Sequence, residues 1–135
     1  MTRVGIVRAI CCVGAAVDLV AAAALASPAG SPLRQLAFPG ADPDLLAYVD
    51  GTRTAFPLML GWTVLLLWAA GRPVERRAVL LFTAVPVVVG LMVVELIDVG
   101  SGHATIDGTA PTLVLQAALT SAFVAAYRLA GSAAG

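Results

Sequence analysis

Four runs of apolar residues, each near the length a helix needs to cross a bilayer, constrain this chain more than any other feature. They extend over about residues 4–26, 55–71, 78–99 and 111–130. A helix rises about 1.5 Å per residue and the hydrocarbon core is about 30 Å thick, so about 20 residues are enough. In hydrocarbon every backbone N–H and C=O must be paired within the protein, which leaves helices and closed barrels. The two-residue alternation of a membrane barrel is missing, so the runs predict helices. Composition agrees, with 60% hydrophobic and only 12% charged residues and a mean hydropathy of +0.96. Soluble domains have about 45–50% apolar and about 25% charged residues. The expectation is an all-α protein, an integral membrane four-helix transmembrane bundle, forming a single domain over residues 1–135.

The arginines orient it. Arg3 and Arg8 flank the first run, Arg72, Arg76 and Arg77 fill the short link between the second and third, and Arg128 closes the fourth. With four crossings all six fall on one side, which places both termini and this link in the cytoplasm. The other side carries Asp42, Asp44, Asp50, Asp98 and Asp107 against Arg34 and Arg53. Lys and Asn are absent while Ala, Val, Leu and Arg abound, a bias of GC-rich bacterial genomes; a bacterial inner membrane is the expected location. The first run ends Ala24-Leu25-Ala26, a pattern like a signal-peptidase site, but Asp18 interrupts it and favours a retained helix.

The link at residues 72–77 makes the second and third helices adjacent. The outer loop, residues 27–54, is rich in proline. Within it residues 43–50 read as a short helix, with Asp42 as N-cap, Pro43 in the first turn and Gly51 as the stop. Trp68 and Tyr127 fit interfacial anchors on the inner side, and Phe38, Tyr48 and Phe56 on the outer side. Pro86 removes a backbone donor from the third helix and predicts a kink near Gly90.

Asp18 and Glu95 are the chemically informative residues. A carboxylate in hydrocarbon costs several kcal/mol unless it is paired, hydrated or protonated, so such acids tend to mark working sites. The topology places Asp18, Glu95 and Asp98 in the outer half, with Arg53 at the mouth of the second helix. On the fourth helix Thr112, Gln116 and Thr120 recur every four residues and form a polar stripe at similar depth. One arginine cannot neutralise three carboxylates in a low-dielectric site, so at least one acid is expected to hold a proton. A protonated acid beside an ionised one is an arrangement for general acid–base chemistry or proton coupling. Asp18 and Glu95 are therefore the expected proton-transfer pair. Arg53 would set their charge, Asp98 and Gln116 would orient a ligand, and Trp62 would form a wall. His103 and Asp107, in the loop after the third helix, are weaker candidates for a lid or relay.

Other chemistries have little to stand on. The adjacent Cys11 and Cys12 lie early in an apolar run and read as small packing residues. One histidine without a spaced partner makes no metal motif, and no nucleotide loop or haem ligand pair is present, so neither metal nor cofactor is expected. A net charge of zero gives no field to draw nucleic acid.

In size and helix count the chain is similar to small multidrug transporters, which carry one membrane acid in the first helix; the long outer loop and the second acid, Glu95, depart from them. Its paired carboxylates resemble, in chemistry alone, those of integral-membrane terpene cyclases and sterol isomerases. No site residue is carried over from either. The leading expectation is binding of a lipophilic small molecule or lipid in an outer-half polar pocket, with acid–base isomerisation or cyclisation of it. The alternatives are a proton-coupled carrier working as a homo-oligomer and a non-catalytic structural subunit. A structural subunit predicts no cavity.

Overall fold

The structure is a computed structural model that describes residues 2–28, 31–37 and 46–133, apart from the side chains of residue 37 and residues 46–53. It is all-helical, with no strand among the described residues. Helix α1 spans Arg3–Ala26, α2 Pro32–Ala37, α3 Leu46–Gly71, α4 Ala78–Gly100 and α5 Ile106–Ser132. Four helical segments, Arg3–Ala26, Thr54–Gly71, Ala78–Gly100 and Ile106–Ser132, are long and apolar enough to cross a membrane.

Local chemistry sets the helix ends. Thr2 caps α1, its Oγ1 accepting from the Gly5 N–H at 3.1 Å, and Thr105 caps α5 by accepting from the Gly108 N–H at 3.3 Å. This cap starts α5 five residues before the expected position, because Asp107 and Gly108 fall in a capped first turn rather than in a loop. At the end of α4, the His103 N–H reaches the Asp98 carbonyl at 2.9 Å and the Gly102 N–H reaches Val99 at 3.1 Å. Gly102 makes this crossed pair of bonds possible by adopting φ +79°, a left-handed conformation that side chains resist.

The loop at residues 27–54 differs from expectation. Residues 43–45 of the expected short helix lie outside the described residues, and residues 46–50 form the first turns of α3. Gly51 does not stop the helix: glycine inside a helix costs only about 1 kcal/mol relative to alanine. Within the described part of this loop the separate short helix is α2. There Ser31 Oγ accepts from the Arg34 N–H at 3.3 Å, and the largely buried Arg34 donates through Nη1 to the Ser27 carbonyl at 3.1 Å.

Pro86 leaves a signature in α4. Over Thr83–Val89 the helix winds as a π-helix, with α-helix on either side. Proline has no N–H for the carbonyl four residues back and its ring crowds that carbonyl; a wider turn relieves both. Gly90 needs no close approach, since a Cβ there would meet nothing within 4 Å.

The core joins Val7, Cys11 and Ala15 of α1 to Leu66 and Ala70 of α3, Leu80, Ala84 and Val88 of α4, and Phe123, Ala126 and Ala130 of α5. Its many alanines let backbones approach closely, as membrane helices require. Large apolar side chains instead cover the outside: Leu58 is 69% and Val114 70% exposed. Such faces are costly in water and at home in lipid. Arg3, Arg8, Arg76 and Arg77 gather at one end, where Arg3 Nη1 reaches the Ser132 carbonyl at 3.4 Å and Arg8 Nε the Ala70 carbonyl at 3.1 Å. Arg76 bonds the Trp68 carbonyl and stacks over the Trp68 ring at 3.8 Å, and Arg77 lies 5.6 Å from the Tyr127 ring.

Candidate functional site

A cavity of about 280 Å³ lies among α1, α3, α4 and α5. Asp18 of α1, Trp62 of α3, Glu95 of α4 and Gln116 of α5 all contribute to its wall. These four residues, up to 98 positions apart in sequence, thus meet around one space, which is otherwise lined mainly by aliphatic side chains. Gly14 and Phe123 form one part of the wall. The buried Phe123 ring lies against Gly14 so closely that any Cβ there would collide with it.

Each carboxyl is held by a threonine from another helix. Asp18 Oδ2 lies 3.1 Å from Thr63 Oγ1 of α3. Glu95 Oε2 lies 2.8 Å from Thr112 Oγ1 of α5, and Glu95 Oε1 accepts from Gln116 Nε2 at 2.9 Å. A third threonine, Thr83 of the π segment, accepts from the Trp62 indole N–H at 3.1 Å and so ties α3 to α4. Both acids are half-buried, and among the described residues neither forms a salt bridge. Farther along the α5 stripe, Gln116 Oε1 and Thr120 Oγ1 are buried without a hydrogen-bonding partner among the described residues.

The remaining candidates separate from this group. The Arg53 side chain lies outside the described residues, so its expected pairing with the acids is not part of the described site. Asp98 is exposed and does not line the cavity. A helix turns about 100° per residue, so three residues leave Asp98 about 60° around from Glu95, enough to take it off the wall. His103 is exposed in the turn after α4, its Nδ1 2.9 Å from Ser101 Oγ, and Asp107 is exposed in the first turn of α5. A negative charge there complements the N-terminal end of the helix dipole. Neither residue lines the cavity. Among the described residues no three His, Cys, Asp or Glu side chains group closely enough to hold a metal ion.

The sequence reading passed over Thr63, Thr83, Gly14 and Phe123 as site residues. A signal existed for the threonines: Thr63 is the one hydroxyl in the apolar run at 55–71, and Thr83 the one in 78–99. Comparison with known proteins finds no family model, no curated protein and no solved structure that matches this chain.

Proposed function

We propose that this is a small bacterial inner-membrane protein that binds a lipophilic small molecule in the cavity between Asp18 and Glu95. One observation carries the reading: two acids from separate apolar helices line a single cavity. Acids that only fixed helix register would need no space between them. At about 280 Å³ the cavity is just below the roughly 300–1,000 Å³ of small-molecule pockets. It fits a compact lipophile or one end of a longer one. Trp62 and the aliphatic wall supply apolar contact, and the carboxyls and Gln116 supply polarity at fixed points. Asp18 and Glu95 are the groups we assign to acid–base turnover, one giving a proton to the bound molecule and a carboxylate taking one back, as isomerisation or cyclisation requires. The arginine-rich end faces the cytoplasm in this reading.

The test is mass spectrometry of what the protein retains through purification in detergent. The parent should carry a defined lipophile in near-stoichiometric amount. Ala21→Phe, which adds a ring to the cavity wall, should lose it while keeping its helical circular dichroism. Equal retention by both proteins would count against the cavity as the binding site.

A further inference from the structure

We infer that the cavity opens sideways into the bilayer between α3 and the last part of α4. Its occupant is a membrane lipid, with its polar group between the acids and its chain passing out through this mouth. The occupant rests on the binding reading above, whereas the mouth rests on how the helices pack. The four long helices form two pairs, α1 with α3 and α4 with α5, and α5 also lies along α1. Helix α3 meets the first turns of α4 beside their short link. One step farther from the link, Trp62 donates to Thr83 Oγ1 at 3.1 Å. Among the described residues no hydrogen bond joins these two helices beyond that point. From Gly90 onward α4 packs against α5 and makes no extended contact with α3. The helices part at the π segment around Pro86, where the backbone ladder is already interrupted and a change of direction is least costly.

The edges of the gap are also the wall of the cavity. On α3 they are Ala55, Met59 and Trp62, and on α4 Val87, Leu91 and Glu95. Leu91 lines the cavity and is 47% exposed, so the wall runs on there into the outer surface. The helix from Ala55 to Trp62 rises about 10 Å, which sets the height of the mouth. Both edges lie within segments long and apolar enough to cross a membrane, and the exposed Leu58 and Val94 flank them. A gap between two such helices meets hydrocarbon, not water.

The size of the cavity points to the same occupant. At about 280 Å³ it falls just short of the roughly 300–1,000 Å³ of pockets that enclose a drug-sized molecule. A molecule with a long chain therefore leaves part of that chain outside, and an apolar mouth in hydrocarbon receives it without exposing it to water. The polar group meets Glu95, Gln116 and Asp18 inside. Glu95 stands five residues before Gly100, the last residue of α4, so about 8 Å from the helix end. A lipid already in the leaflet reaches this depth by a small inward shift of its polar group. A water-borne solute would first shed its hydration.

The test uses the full chain in vesicles, carrying Cys11→Ala, Cys12→Ala and Trp68→Phe so that Trp62 is the sole tryptophan. Met59→Cys and Leu91→Cys then put one thiol on each edge, and a bis-maleimide bridges them. Met59→Phe with Leu91→Phe narrows the mouth by side chains alone and should act as the bridge does. In phosphatidylcholine brominated along its chains, Trp62 fluorescence should be quenched, and closing the mouth should cut that quenching at least twofold. In unbrominated phosphatidylcholine, a brominated fatty alcohol should quench saturably. Closing the mouth beforehand should slow its uptake at least tenfold, and bridging after loading should slow its loss as much. Uptake and quenching that neither closure alters would overturn lateral entry. With saturable quenching kept, that result leaves the binding reading standing, with access from the end at residues 27–54. Closure-sensitive quenching by the brominated phospholipid without saturable quenching by the alcohol would support the mouth and count against the binding reading.

Discussion

Thr63 joins helices by a contact that is short in reach and modest in energy. Polar bonds between membrane helices contribute about 0.6 kcal/mol on average and up to about 2 kcal/mol. Thr63→Val should therefore lower stability by about 1 kcal/mol, seen as an earlier thermal transition in detergent. Asp18→Asn and Glu95→Gln are more telling. An amide oxygen can accept from the threonine hydroxyl as the carboxyl oxygen does, so these variants should change stability by less than about 1 kcal/mol. An ionised acid in a buried pair would behave differently, since breaking such a pair costs about 3–5 kcal/mol. Strong destabilisation of both variants would restore a purely architectural role for the acids. At this scale the sequence was informative about the acids and less so about their partners. Asp18 and Glu95 stand out because charge is rare in apolar runs. Thr63 and Thr83 do not, because threonine is tolerated in such helices without a role.

The π segment of α4 sets where its C-terminal half points. A turn with an extra residue rotates everything after it, so Thr83–Val89 fixes the angle at which Glu95 meets the cavity. Pro86→Ala should restore α-helical winding over the same number of residues and rotate residues 90–100 by about 100°. Glu95 would then leave the wall. Helical circular dichroism should be unchanged, and lipophile retention should fall at least tenfold; retention at the parent level would show that the Glu95 position is immaterial. On α1 the close approach of Phe123 to Gly14 makes a similar demand. Gly14→Val should destabilise by about 1–3 kcal/mol through overpacking, measured by thermal unfolding. Pro86 is readable in the sequence as a disturbance, but whether a proline helix kinks or widens depends on what packs against it. The same limit explains the loop at residues 27–54. Gly51 looks like a stop locally, yet α3 runs through it.

The four apolar helices were legible from length and composition alone, because the bilayer fixes how long a spanning segment must be. The cavity was legible only as a convergence of polar residues at similar depth; its walls depend on how Gly14, Trp62 and Phe123 interlock. Sidedness rests on the arginine-rich end. In a background with Cys11 and Cys12 replaced by alanine, Arg76→Cys should label only from the cytoplasm and His103→Cys only from outside. Labelling of both from one side would end the four-crossing arrangement. The central claim, that a lipophile sits between the acids, is tested most directly by Trp62, which lines the cavity, while the exposed Trp68 does not. In a Trp68→Phe variant, which leaves Trp62 as the sole tryptophan, a brominated fatty alcohol should quench the fluorescence saturably, and Ala21→Phe should abolish the saturable part. Quenching that rises linearly with quencher and is the same in both proteins would contradict it.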